Sequence, residues 1–481
     1  MSEASGVFTR ENPARKSEVV FEFPWSEAQV DAAVMAAKEA QRAWDKLGFE
    51  GRLAYVERLA SAFEQKKEAL ALAICREAGK PLWEARGEAG ALVAKIKIMS
   101  TAGMAYTRPV SLDGGSTRAV YRPLGVLAVL GPFNFPLHLP NGHIIPALLN
   151  GNTLVIKPSE WTGGAMQLYF ECIEEAGFPP GVINLVHGPG PVGAALSSHM
   201  KVDGVLFTGS YETGLRIKKA TLTQHWKLLA LEMGGKNTSI VLEDANLEQT
   251  AHELILASFL TTGQRCTATS RVVAHASVLL ELIERFEALA KRITTGDPER
   301  EEVFMGPIIN RAAYDTFLEI QQDDEGGKLT RILAGGAARD DLDGYYLSPA
   351  IWRATEFDPQ GSHQSREIFG PDVIFYEASD DEAIVKIANG TEYGLAMSVF
   401  TSDEERYERL AYDLESGIVN MNRTTAGASS ALPFGGVKKS GNHRPAAVTA
   451  GLYCTYPQSR LVQGAEFDEE ILSSGPLALL Q

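Results

Sequence analysis

The pattern of apolar and polar positions changes texture twice along the chain. After an extended entry, the first ~105 residues are alanine-rich, with apolar positions three and four apart, which predicts amphipathic helices. Ser26 precedes this patterning as an N-cap, and the helical texture runs to about Leu92. Thr107 to Tyr121 reads instead as a hairpin turning at Asp113-Gly114, a dipeptide suited to a tight turn. From Val126 onward, short, largely apolar runs alternate with helical segments: 125–130, 152–157, 182–186 and 204–208, with a helix expected over 165–176. Apolar runs of this length between helices predict buried parallel strands, and hence a doubly wound α/β sheet. A second α/β unit begins near Gly234, with strands expected at 239–242, 271–274 and 396–400. The glycine- and charge-rich stretch 323–343 reads as a surface excursion. The tail after Gln463, acidic and then apolar, is expected to pack against another element.

Length adds that 481 residues exceed one ordinary core, so two or three domains are expected. The formal net charge of -16 argues against nucleic acid and anionic membrane as partners. No apolar run is long enough for a membrane helix, and residues 1–15 lack the apolar core of a secretory signal. The four cysteines, Cys75, Cys172, Cys266 and Cys454, are far apart and show no metal-ligand spacing. That usage suits a reducing cytoplasm, and no metal is expected. His138 and His143 lack carboxylate or cysteine neighbours, so they read as ordinary histidines.

Two short segments carry candidate chemistry. Leu231-Glu232-Met233-Gly234-Gly235-Lys236-Asn237 offers a carboxylate, and Gly263-Gln264-Arg265-Cys266-Thr267 offers a thiol. A cysteine attacks an sp² carbon readily, because its thiolate is a strong nucleophile. A nearby carboxylate can then activate the water that releases the acyl group. Asn134, within Gly131-Pro-Phe-Asn-Phe-Pro136, ends a strand and offers either an amide for an oxyanion or a helix cap. Gly209-Ser210-Tyr-Glu-Thr-Gly214 lies between strand and helix, where backbone amides suit a phosphate. Gly188-Pro-Gly-Pro-Val-Gly193 has a similar spacing, but its prolines remove amide donors and it reads as structural. Lys157 and Glu160 close a buried strand, where a glutamate can hold a ribose and repel a 2′-phosphate. Glu367 and Phe369, in Glu-Ile-Phe-Gly-Pro371, fit either a cofactor ribose or a plain loop.

Taken in order with Pro433-Phe-Gly-Gly436, these segments resemble those of the NAD(P)-dependent aldehyde dehydrogenases over nearly the whole chain. The resemblance implies a Rossmann-type parallel-sheet cofactor domain (1–106 and 122–233) and an α/β catalytic domain (234–445). It also implies a small β oligomerisation element (107–121 and 446–465), a C-terminal tail (466–481), and homodimers or homotetramers. Cys266 would be the nucleophile, Glu232 the base and Asn134 an oxyanion donor. Lys157, Glu160, Gly209, Ser210, Gly214, Glu367 and Phe369 would hold NAD, and a small-molecule aldehyde would be the substrate. Residues 138–149 and Ser440-Gly-Asn-His443-Arg444-Pro are more narrowly similar to the succinylglutamate semialdehyde dehydrogenases of arginine catabolism. That likeness implies a carboxylated substrate, met by the cationic His443 and Arg444, or else Arg444 anchors the C-terminal segment. Leu137 and Asn422-Arg423 differ from the residues usual there, so succinate or glutarate semialdehyde stands as the alternative substrate.

Overall fold

A computed structural model describes residues 5–462 and 475–480. The extended entry is a two-stranded antiparallel hairpin, Ser5–Asn12 with Arg15–Ser26. Three helices follow: Ala28–Lys46, Gly48–Ala78 and Leu82–Ser100. The Ser26 hydroxyl accepts from the Ala28 amide at the start of the first. The second stops at Gly79, whose left-handed conformation (φ 73°) returns its amide to the Cys75 carbonyl.

The apolar runs from Val126 form a five-stranded parallel sheet. Its spatial order is Ile183–Leu185, Thr153–Lys157, Val126–Leu130, Gly204–Thr208 and Leu228–Glu232. The three central strands are buried at every position because helices cover both faces, so they carry no polar alternation. A second sheet of seven strands runs Leu329–Leu333, Ala350–Ala354, Asp372–Ala378, Thr269–His275, Asn237–Val241, Ala396–Phe400 and Ile418–Met421. It is parallel except at its first edge, where Leu329–Leu333 pairs antiparallel with Ala350–Ala354. Residues 323–343 are therefore not simply an excursion. Leu329 packs into the core beneath that edge, while Thr330 and Arg331 are exposed.

Val110–Leu112 and Thr117–Pro123 form the expected hairpin, with Gly114 and Gly115 both at positive φ in its turn. Thr455–Leu461 pairs antiparallel along the full length of Thr117–Pro123, which makes a small three-stranded sheet. Most of the tail after Gln463 lies outside the described residues. Its described part, Gly475–Leu480, is a 3-10 turn with Leu479 exposed. No helix among the described residues is long and apolar enough to cross a membrane.

Carboxylates from the helical layer reach into the sheet layer. Glu77 accepts from the amides of Gly164 and Ala165, at the start of the helix Gly163–Glu175. Glu88 accepts from Leu137 and His138 at the start of the helix His138–Leu149. Each helix thus has its unpaired amides satisfied by a residue far away in sequence.

Candidate active site

Four strands of the five-stranded sheet end at the same rim, and the candidate residues follow directly. Val126–Leu130 delivers Gly131 to Phe135, and Thr153–Lys157 ends on Lys157. Gly204–Thr208 delivers Gly209 and Ser210, and Leu228–Glu232 ends on Glu232. Ligands of doubly wound sheets sit at such carboxyl ends. A cleft of about 1260 Å³ opens there, lined by Asn134, Lys157, Glu160, Gly209, Ser210, Cys266, Glu367 and Phe369 among others. A smaller cavity of about 190 Å³ is lined by Glu232, Phe135, His138, Lys95 and Arg265. Cys266 and Thr208 line both. The thiol therefore stands at the junction of a large and a small chamber.

The segment carrying Cys266 is held in an unusual backbone path. After the helix Leu247–Phe259, Thr261, Thr262 and Gly263 are all left-handed, with φ of 54°, 57° and 71°. Two β-branched residues in that region cost about 1–3 kcal/mol each, so their surroundings must enforce it. Glu84 accepts from the Thr261 amide at 3.0 Å and also from the Thr261 hydroxyl. Thr262 donates to the Gly306 carbonyl, and Gln264 ties the loop to the Ile309 amide. Gly263 lies against the Gly370 carbonyl, where any Cβ would overlap it. Asn237 fixes the far side: its amide donates to the Cys266 carbonyl at 2.7 Å and to Ala268 at 2.9 Å.

The paired glycines after Glu232 have separate reasons. A Cβ on Gly234 would overlap the Glu367 carboxylate, which instead accepts from the Gly235 amide at 2.8 Å. A Cβ on Gly235 would come within 2.6 Å of the Cys266 carbonyl. Together they let Glu367 and the thiol loop approach the strand end.

Electrostatics at the junction are set by burial. The Cys266 thiol is pushed up to about 12, first by desolvation and then by Glu367 and Glu232. Burial alone holds Glu232 well above the carboxylate range, and its Oε2 has no hydrogen-bond partner. Glu367 is raised to about 7, again chiefly by burial. Asn134 is buried and donates to the Gln264 carbonyl at 2.9 Å, which leaves its second N–H available beside the thiol loop.

In the large chamber, the buried Lys157 ammonium donates to the Pro158 carbonyl at 2.6 Å and stands 3.5 Å from Glu160. Ser210 caps the ten-residue helix Tyr211–Ala220 by accepting from Thr213, and Gly214 packs against Met233. A lysine–glutamate pair, a glycine turn at a helix start and a third carboxylate suit a ligand with sugar hydroxyls and phosphates. Gly190, Pro191 and Gly193 line this chamber too. The Gly188–Gly193 segment therefore contributes to the cleft wall, since its helix Gly190–Ser198 abuts Lys157 through Gly193.

His443 and Arg444 are placed differently from the sequence expectation. Both are exposed at a left-handed turn (φ 62° at His443), Arg444 donates to the His443 carbonyl, and neither lines the two chambers. Their segment reaches the site through neighbours. Ala446 and Ala447 line the small chamber, Asn442 bonds the backbone of Leu229 and Leu231, and Gly441 bridges Glu232. The cations that do line the small chamber are Lys95 and Arg265.

His143 is a core histidine, bonded to the Tyr453 hydroxyl and Thr208 and held neutral by burial. Among the described residues no cluster of histidine, cysteine and carboxylate could hold a metal. The other cysteines are buried; desolvation pushes Cys172 up to about 11 and raises Cys75 and Cys454 further.

Known proteins match this chain along most of its length. The model of the Aldehyde dehydrogenase family matches residues 1–459. An N-succinylglutamate 5-semialdehyde dehydrogenase of Novosphingobium aromaticivorans is 40% identical over 453 residues, covering 93% of this chain and 94% of its own. An NAD-dependent aldehyde dehydrogenase from Sinorhizobium meliloti superposes with a TM-score of 0.90 at 28% identity, covering 96% and 93%. A betaine aldehyde dehydrogenase from Staphylococcus aureus, solved in complex with NAD+, gives 0.89 at 28%, covering 96% and 95%.

Proposed function

The chain belongs to the aldehyde dehydrogenase family, and on that premise we propose that it oxidises N-succinyl-L-glutamate 5-semialdehyde to N-succinyl-L-glutamate with NAD. The observation that carries the chemistry is the position of Cys266 at the junction of the two chambers. The cofactor belongs to the large chamber and the aldehyde to the small one. The substrate follows from the relatives and from the cations of the small chamber.

In the first step the Cys266 thiol releases its proton to solvent, and the thiolate bonds to the aldehyde carbon. The oxygen becomes an oxyanion, received by the Asn134 side-chain amide and the Cys266 backbone amide. NAD, when bound, supplies the hydride acceptor. Lys157 and Glu160 would hold its adenosine ribose, Gly209 to Gly214 its diphosphate, and Glu367 with Phe369 its nicotinamide end. Glu160 also disfavours a 2′-phosphate by like charge. The acyl group is then carried on Cys266 as a thioester. Glu232 takes a proton from water, the resulting hydroxide attacks the thioester carbon, and the thiolate leaves.

The three-part domain division serves this scheme: a cofactor domain on the five-stranded sheet, a catalytic domain on the seven-stranded one, and the small sheet as an oligomerisation platform. Val110, Leu112, Tyr456 and Leu461 are exposed on that small sheet, which suits pairing with a second copy as a homodimer or homotetramer. Four free cysteines fit a reducing, cytoplasmic setting.

The test of substrate is initial NADH formation with N-succinylglutamate semialdehyde, succinate semialdehyde and hexanal. The first is expected to show the highest kcat/KM. Better use of succinate semialdehyde would retire the longer substrate and leave the dehydrogenase. The cofactor contacts have their own test in Gly234→Ala, whose Cβ displaces Glu367 and breaks its bond to Gly235. The KM for NAD is expected to rise about tenfold or more, as for loss of one charge-assisted hydrogen bond. An unchanged KM would remove Glu367 from the cofactor site.

A further inference from the structure

The helix Leu82–Ser100 carries Glu84, Glu88 and Lys95 at spacings of four and seven, which puts all three on one face. That face is buried and turned toward the site, contrary to what charge on an amphipathic helix suggests. Both carboxylates are already engaged. Glu84 accepts from Arg265 and Thr261, while Glu88 pairs with the buried Lys80 at 2.6 Å and accepts from Leu137 and His138. Lys95 has no such partner. Among the described residues no carboxylate stands within ion-pair distance of it, and its ammonium donates to the His138 carbonyl at 3.3 Å.

The charges therefore do not balance. With Glu232, the other carboxyl of the small chamber, held protonated by burial, Lys80, Lys95 and Arg265 supply three positive charges against the two negative charges of Glu84 and Glu88. The cation left over is Lys95, which is 5% exposed and lines the small chamber. A buried ammonium with no carboxylate in ion-pair contact is costly, and the strain registers locally. Burial lowers Lys95 to about 8, against the opposing pull of the more distant Glu88. His138 is driven well below its usual value by burial and then by Lys95, Lys80 and Arg265. Its Nδ1 is buried without a hydrogen-bond partner, and His138 as a residue also lines the small chamber. Space for the ammonium comes from Gly142, where a Cβ would lie 2.8 Å from Lys95 Nζ.

We propose that Lys95 is the specificity residue that receives a carboxylate of the aldehyde substrate, completing the charge balance of the small chamber, with the neutral His138 beside it. This rests on the reading of the substrate as a carboxylated aldehyde, but not on which one. It also gives one substrate carboxylate a cation inside the chamber although His443 and Arg444 stand outside it.

The test compares Lys95→Met and Lys95→Gln with the unaltered enzyme on three aldehydes: N-succinylglutamate semialdehyde, glutarate semialdehyde and neutral hexanal. Loss of the ammonium is expected to lower kcat/KM for the carboxylated aldehydes about 100-fold, mainly through KM, and to change hexanal turnover less than about threefold. The glutamine variant keeps a donor for the His138 carbonyl and removes only the charge, so it separates recognition from packing if the methionine variant does not fold. Equal losses on all three aldehydes, or a glutamine variant that keeps its preference for carboxylates, would overturn the assignment. An unaltered enzyme that favours glutarate semialdehyde, with the preference for carboxylates still lost on substitution, upholds Lys95 and retires the longer substrate. No preference for carboxylates in the unaltered enzyme overturns both.

Discussion

Cys266→Ala is expected to lower kcat by at least about 10⁴-fold with every aldehyde, while NAD still binds with its original affinity. The reasoning is that in the proposed mechanism every covalent intermediate is carried on the sulfur: it bonds to the aldehyde carbon, holds the acyl group after hydride has left, and departs on hydrolysis. The other three cysteines are buried in the core with their thiols held protonated, so none can substitute. Alanine leaves the left-handed Thr261–Gly263 path and the Asn237 bond to the residue-266 carbonyl intact, because both act through the backbone of this loop. The large chamber loses only one side chain from its wall. Steady-state NADH formation and cofactor titration by fluorescence read the two halves separately. A variant retaining more than about a hundredth of the activity would remove Cys266 from the mechanism. The raised thiol also carries a pH consequence. In the enzyme without cofactor, alkylation of Cys266 by iodoacetamide should accelerate as pH rises toward the thiol's value, since only the thiolate reacts.

Much of this arrangement was legible in the chain because the residues that meet at the rim follow directly on strands. Glu232, Lys157 and Gly209 each end or follow a five-residue strand, and largely apolar runs marked three of the four strands that end at the rim. The strand Leu228–Glu232 was less visible as an element, since its run is flanked by polar residues and gains its character only by pairing beside Gly204–Thr208. What the sequence hid was long-range. Glu84 lies 177 residues before Thr261, yet it enforces the backbone that presents Cys266. Asn237 read as the end of a glycine motif, but its amide spans 29 residues to hold the Cys266 carbonyl. Charge proved a poor guide to exposure in both directions. His443 and Arg444 looked like substrate contacts because they sit near a family motif, and a left-handed turn leaves them in solvent. Glu84, Glu88 and Lys95 are charged residues on a helix, the kind that usually faces solvent, and they are buried against the site. The one signal available was spacing: three charges on a single face of an alanine-rich helix mark a stripe, and a stripe can face inward when partners wait there. The edge strand Leu329–Leu333 was masked for a related reason, since its exposed Thr330 and Arg331 resemble a loop until the antiparallel pairing with Ala350–Ala354 is known.

Glu232→Gln should separate the two halves of the reaction. The first turnover, which ends in the thioester, is expected to keep its burst of NADH, whereas steady-state acyl release falls about 10²–10⁴-fold. Glutamine has the size of glutamate but takes no proton from water. Glu232 Oε2 makes no hydrogen bond, so the amide breaks none of its contacts, and the loss is chemical rather than structural. The raised position of this carboxyl fixes the direction of the pH effect. A general base works only when ionised, and burial keeps Glu232 protonated to a pH well above the ordinary carboxylate range. Acyl release in the unaltered enzyme should therefore rise as pH increases through that raised value and die away below it. Glu232→Gln should flatten that limb while leaving the burst amplitude unchanged. Stopped-flow absorbance across pH resolves burst from steady state in one trace. If the variant lost its burst yet kept its steady rate, the carboxyl would belong to thiol activation, and water would have to find its base elsewhere among the groups around Cys266.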